Sequence, residues 1–201
     1  AAAFWETQVE SPVDIFVQAS FARLTCSATS AALGGAGARY IFSDFKGAPR
    51  PKTWYPEALA NKLAGEDLNP AGGDDTGEDI QARFTTAFDD GSCSFARKWY
   101  YGLDAKPPGG TLDFASVVIH ELGHGLGFMT FVDEATGERI EGEEGVGLDD
   151  AFMVNLYDAN MGKTWPQMTD AERVTSAVSG SNLVWNGPAV TAVAGSVLTS
   201  G

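Results

Sequence analysis

Residues 120–124 read His120-Glu121-Leu122-Gly123-His124, the pattern HExxH. On an α-helix, residues four apart lie one above the other on the same face. Two imidazoles so placed can converge on one Zn²⁺ at ~2.0–2.1 Å each. Glu121 is offset by one residue, so it need not ligate and can face a water. Zinc lowers that water's pKa toward ~7, and a carboxylate can take the proton as hydroxide attacks a carbonyl. The chain holds only two His. A chance pair at this spacing, with Glu after the first, arises on the order of 6 times in 10,000. The metal reading is therefore preferred to two structural histidines on a buried helix. A catalytic zinc also needs a third protein ligand, and no His follows His124. The carboxylates Asp133, Glu134, Glu138, Glu141, Glu143, Glu144, Asp149 and Asp150 are candidates, as is a residue beyond Gly201. Spacing does not choose among them.

The elements around this pentad can be read in outline. Asp113 to Gly127 is expected to be a helix, capped by Asp113 and packed through Val117, Val118 and Leu122. Gly123, Gly125 and Gly127 each cost a helix up to ~1 kcal/mol relative to Ala. Such a break in a local rule points to close packing or function, and Gly127 is placed to turn the chain sharply. Upstream, Asp14 to Phe21 predicts a buried strand, Ala28 to Gly37 a loop, and Ala38 to Phe45 a second strand. Tyr55-Pro56-Glu57 to Ala64 predicts a short helix with Pro56 in its first turn and Gly65 past its end. Ile80-Gln81-Ala82-Arg83-Phe84 alternates as a half-exposed strand. Trp99-Tyr100-Tyr101-Gly102 is an aromatic patch of core type.

Downstream, 134–150 reads as an acidic loop and Ala151 to Tyr157 as a strand. Thr169 and Glu172 form a capping box for a helix running to about Ser179. Leu183 to Trp185 predicts a strand, and the tail from Ala189 to Gly201 is small and apolar with no evident terminating element. The mixture predicts an α+β fold in one domain over 1–201, a mixed twisted sheet packed on helices.

Asp plus Glu number 27 against 13 Lys plus Arg, a net charge of −14. That argues against a nucleic-acid or anionic-membrane partner, both of which want a basic face. No apolar run approaches the ~20 residues of a membrane span. Asp74, Asp75, Glu78 and Asp79 make a loop cluster in which Ca²⁺ is a candidate, although the alternate-position ligands of an EF-hand are lacking. Cys26 and Cys93 permit one disulfide in a secreted protein, or two buried thiols in a cytosolic one. Gly162-Lys163-Thr164 is not a P-loop, because Tyr157 stands where glycine is needed. No GxSxG occurs.

The segment HELGHGLGF, His120 to Phe128, resembles the metzincin metallopeptidases, whose motif is HExxHxxGxxH. His120, Glu121, His124 and Gly127 match, while Thr130 stands at the third His. The wider chain looks closer to secreted bacterial metallopeptidases with an inserted protease-associated (PA) domain, in a leishmanolysin-like arrangement. SPVDIFVQASF, TWYPEALANKLAG, WYYGLD, GKTWPQMTDAER and LVWNGPAV carry that likeness over most of the chain.

The resemblance implies a zincin-type catalytic fold and a secreted zinc endopeptidase acting on protein or peptide. It implies His120 and His124 as metal ligands, Glu121 as general base, and pairing of Cys26 with Cys93. The third His and the methionine turn would come later, after a PA domain beginning near the end of these residues. Met161 and Met168 sit in the wrong context for that turn. Ile80, Gln81, Ala82, Arg83 and Phe84 would form the edge strand that a peptide substrate extends. The other reading is a metal-binding or scaffold module that is catalytically incomplete.

Overall fold

The computed structural model describes residues 1–70, 77–95 and 97–197. The fold is mixed α+β, built of small sheets and a few helices. In chain order the strands are β1 (Val17–Ala22), β2 (Gly34–Ala38), β3 (Ile41–Phe42), β4 (Thr53–Pro56), β5 (Ile80–Thr85), β6 (Lys98–Tyr100), β7 (Thr111–Asp113), β8 (Asp149–Asp150), β9 (Leu156–Asp158), β10 (Lys163–Thr164) and β11 (Leu183–Trp185). The α-helices are α1 (Ala2–Trp5), α2 (Glu57–Ala64), α3 (Phe114–Gly125), α4 (Asp170–Ala177) and α5 (Pro188–Val197). The chain divides into two compact units, 1–48 with 56–128, and 49–55 with 129–201.

In the first unit β5 lies at the centre of a three-stranded sheet. It pairs in parallel with β1 (Val17 opposite Ile80) and antiparallel with β2 (Ala36 opposite Ala82). Alternation along β5 buries Ile80, Ala82 and Phe84 and leaves Arg83 exposed, as a sheet with one covered face requires. Ile80 packs with Leu122 of α3 and Ala58 of α2 in one apolar cluster.

Three expectations are corrected here. Ile80 to Phe84 is not an edge strand, because both of its sides already carry a ladder, so a substrate strand finds no free edge there. The strand at 17–22 is not buried: it is itself an edge, with five of six residues exposed. The Gly/Ala run at 34–38 is a strand rather than a loop, its weak intrinsic preference overridden by pairing with β5.

The N-terminal end of α3 is held by a cluster of rings, one stacked and the others edge-on or tilted. Phe114 contacts Phe21, Phe84, Trp99 and Tyr101 at centroid separations of 5.4, 5.2, 5.2 and 5.3 Å. Trp99 is buried, and its indole N–H donates to the Thr85 carbonyl at 2.9 Å. Cys26 and Cys93 form a disulfide with Cα atoms 5.6 Å apart, closing a sequence separation of 67 residues. A loop of that length is worth on the order of 4 kcal/mol in the chain-entropy account.

α2 ends at Gly65 in the left-handed region, as read from sequence, but it begins after Pro56, which is its extended N-cap rather than part of its first turn. Its first residue is buried and charged. Glu57 is 1% exposed and accepts from the Tyr40 N–H at 3.0 Å. Asp79, 3% exposed, accepts from the Phe16 N–H and from the Asn61 amide, both at 2.7 Å.

The second unit packs Val132, Met153, Leu156, Trp165 and Met168 together, with Met161 against them. Met161 and Met168 thus belong to an apolar core. β9 pairs with β10 and β11, and β4 pairs with β8. The capping box at Thr169 and Glu172 opens α4 as expected. Arg173 is buried, yet its guanidinium donates to the carbonyls of Gly137, Trp165 and Met168 and to Asp170. The expected strand over 151–157 is instead a 3₁₀ turn, Met153–Asn155, followed by β9. Asp150 accepts from the Phe152 and Met153 N–H groups and so caps that turn. In the tail, where the sequence showed no evident terminating element, Pro188–Val197 forms α5.

Burial pushes Glu57 up from 4.5 to about 7, with the charges of Asp79 and Asp67 adding to it and the Tyr40 bond opposing. Burial likewise raises Asp79. Between about pH 4.5 and about pH 7 the folded chain holds protons that the unfolded chain has released, so stability falls as pH rises through that window. Glu57→Gln keeps the shape and an acceptor for Tyr40. It should flatten this slope and add about 1–3 kcal/mol at about pH 8, read by urea unfolding at both ends of the window. An unchanged slope would show that Glu57 is not the group responsible.

Candidate metal centre

α3 carries the HExxH pentad on a helix pinned at three places. Asp113 caps its first turn, accepting from the Ser116 N–H at 3.3 Å. Its middle is braced by α1, where the Trp5 indole N–H donates to the Ile119 carbonyl at 3.1 Å. Toward its C-terminal end lies Gly125, where an added Cβ would stand 2.3 Å from Ile80 Cγ2. Only a residue without a side chain lets the helix settle this closely on β5. The faces divide accordingly. Val118, Leu122 and Leu126 join the apolar cluster, while His120 is exposed and His124 half-buried.

The helix ends two residues earlier than its glycine-rich sequence predicts, in a Schellman turn. Gly127 has φ +112°. Its N–H donates to the His124 carbonyl, and the Phe128 N–H reaches back to the Gly123 carbonyl, each at 3.0 Å. This reversal returns the Phe128 carbonyl over the last helical turn, where it meets His124 Nδ1 at 2.9 Å. A carbonyl only accepts, so Nδ1 is the protonated nitrogen and Nε2 of the neutral ring carries the lone pair.

That lone pair faces the other histidine. His124 Nε2 and His120 Nε2 are 3.1 Å apart, and the two rings stand 4.7 Å apart at 89°. A tetrahedral ion with bonds of ~2.0–2.1 Å sets two ligand nitrogens about 3.3 Å apart. The pair therefore fits two corners of a zinc site. A histidine ligand whose second nitrogen is tied to a backbone carbonyl is the usual outer support of such sites. Glu121 lies between them in sequence, half-buried, and makes no side-chain hydrogen bond or ion pair among the described residues.

Among the described residues, no group of three or more His, Cys, Asp or Glu side chains is gathered as a metal ion would need. Most candidate third ligands have other partners. Asp133 accepts from the N–H groups of Ala135 and Thr136, which hold its carboxyl below the ordinary range. Glu138 meets the Thr136 hydroxyl, Glu144 pairs with Lys52, and Asp149 pairs with Arg139. Asp150 is buried and accepts from the Thr130 hydroxyl at 2.6 Å and from the N–H groups of Phe131, Phe152 and Met153. Glu134, Glu141 and Glu143 are exposed and have no such partner among the described residues.

Of the acidic loop considered for Ca²⁺, Asp74 and Asp75 lie outside the described residues. Glu78 takes the Gln81 amide at 3.0 Å and Asp79 is tied to Phe16 and Asn61. Two supports of the pair were not legible in sequence: the Phe128 carbonyl, which has no side-chain signal, and Trp5, which is 114 positions from its acceptor.

No protein-family model matches the chain, and neither a curated protein nor a solved structure does. No helix among the described residues is long and apolar enough to cross a membrane.

Gly127→Ala would place a side chain at φ +112° with its Cβ 3.0 Å from Pro56 Cγ. Strain of this kind costs about 1–3 kcal/mol. The expected outcome is that loss in denaturant unfolding, together with a shifted Nδ1 resonance for His124 in NMR as the Phe128 carbonyl moves. Unchanged stability with an unchanged resonance would show that the turn does not set the imidazole.

Proposed function

We propose that this chain carries the active-site helix of a secreted zinc endopeptidase of metzincin type. The observation that carries the reading is the convergence of two imidazole Nε2 atoms to 3.1 Å on one helix face, with the Glu121 carboxylate uncommitted beside them. His120 and His124 would hold the ion. Zinc bound there supplies Lewis acidity toward a water and a peptide carbonyl.

The chain's own residues do the rest. The Phe128 carbonyl keeps the proton of His124 on Nδ1, so that Nε2 remains a donor to the metal. The Glu121 carboxylate takes a proton from the attacking water and returns it to the departing amide nitrogen. The Cys26–Cys93 disulfide supports an oxidising, extracellular setting.

One observation favours a second reading, a metal-binding module without catalysis. At position 130, where the family motif has its third His, the Thr130 hydroxyl is committed to Asp150.

The test is hydrolysis of an unstructured protein by the zinc-loaded chain and by Glu121→Gln, with zinc content measured on both. The endopeptidase reading expects cleavage by the parent, and a variant that keeps zinc while losing at least ~100-fold in rate. A variant as active as its parent removes Glu121 from the mechanism. Zinc without any cleavage in the parent selects the second reading.

A further inference from the structure

The first unit carries a concave feature at the opposite end of α3 from the Gly127 turn. A pocket of about 390 Å³ is lined by Phe21, Thr86, Asp89, Asp90 and Tyr101. Its walls are two aromatic rings that a folded chain would normally cover: Phe21 is 51% exposed and Tyr101 52%. Both lean on Phe114 at 5.4 and 5.3 Å, so they are fixed by packing rather than free.

Its rim is anionic. Asp90 accepts from the Ser92 N–H at 2.7 Å, and its bonds to Ser92 hold it below the ordinary carboxylate range. Asp89 accepts from the Tyr101 hydroxyl. Partial burial and that bond push Tyr101 up to about 12, so the phenol stays neutral and donating.

The loop that bears the two aspartates is braced from both ends. The N–H groups of Asp89 and Asp90 turn back on the Thr86 carbonyl at 3.0 and 3.1 Å. Cys93 bonds to the Ala87 carbonyl and is tied through its disulfide to Cys26. No basic side chain of the described residues forms an ion pair with Asp89 or Asp90. Arg23 adds to the lowering of Asp90 from beyond ion-pair distance.

Aromatic faces attract cations, and more strongly where water is partly excluded. A carboxylate adds a charge-assisted hydrogen bond to an ammonium or guanidinium. Two aromatic rings and two carboxylates with no ion-paired cation among the described residues make one complementary ligand class. We propose that this pocket binds the basic side chain of a peptide, a lysine ammonium or an arginine guanidinium, with its alkyl stem between Phe21 and Tyr101. The inference needs neither metal nor hydrolysis, so it stands apart from the endopeptidase reading.

The test is an NMR titration of the disulfide-intact chain at neutral pH, following the ring resonances of Phe21 and Tyr101. The probes are Nα-acetyl-lysine methylamide and Nα-acetyl-arginine methylamide, with Nα-acetyl-norleucine methylamide as the uncharged comparison. The expected result is saturable shifts of both rings with a basic amide, and binding of the norleucine compound at least ~10-fold weaker. Tyr101→Phe keeps the ring and should keep the binding, whereas Asp90→Asn keeps an acceptor for Ser92 and should weaken it several-fold. Equal binding of the norleucine compound, or no saturable shift with either basic amide, would overturn the proposal. So would unchanged affinity in Asp90→Asn.

Discussion

The missing side chain at Gly125 is the constraint on which the first unit turns. The helix α3 lies so close to β5 that a single methyl at this position would overlap the Ile80 branch. The contact joins the central strand of the sheet to the last turn of the helix, where His124 sits. It sets which face of α3 is covered and so leaves the other to His120 and His124. The helix accepts a propensity penalty of about 1 kcal/mol at such a glycine in exchange for the close approach.

Two further restraints convert that placement into a defined geometry. At one end, Asp113 caps the helix and a cluster of rings around Phe114 holds it against β1, β5 and β6. At the other, the left-handed turn at Gly127 carries the backbone over the helix so that the Phe128 carbonyl fixes the tautomer of His124. The result is a pair of imidazoles that meet at Nε2 with one outer support already in place. The buried carboxylates Glu57 and Asp79 lie elsewhere in the same unit. Each accepts backbone or amide donors that tie α2 and the start of β5 to neighbouring segments.

What the sequence made legible was local. HExxH on a helix, the Asp113 cap, the capping box at Thr169 and the stop at Gly65 all follow from spacing within a few residues, and the structure has each of them. The α+β character followed from the mixture of periods. What was not legible was pairing over distance. β5 read correctly as a half-buried strand, but nothing in its alternation says whether neighbours lie on one side or both. The run Gly34 to Ala38 has a loop's composition and became a strand only because β5 offered it a ladder. The exposure of β1 is likewise set by what lies beside it, and its apolar residues alone suggested a core. In the site, the histidines and Glu121 announced themselves through their spacing. The Phe128 carbonyl did not, because every residue has one.

The central claim is that His120 and His124 form one half of a zinc site through converging Nε2 atoms. A zinc titration of the purified chain against a competing chelator, beside the same titration of His124→Ala, tests it most directly. The account predicts one zinc per chain in the parent and an affinity lowered at least ~10-fold in the variant, since even outer supports of such ligands are worth 10–100-fold. Equal zinc affinity in parent and variant would contradict it, and would return the two histidines to a purely structural role.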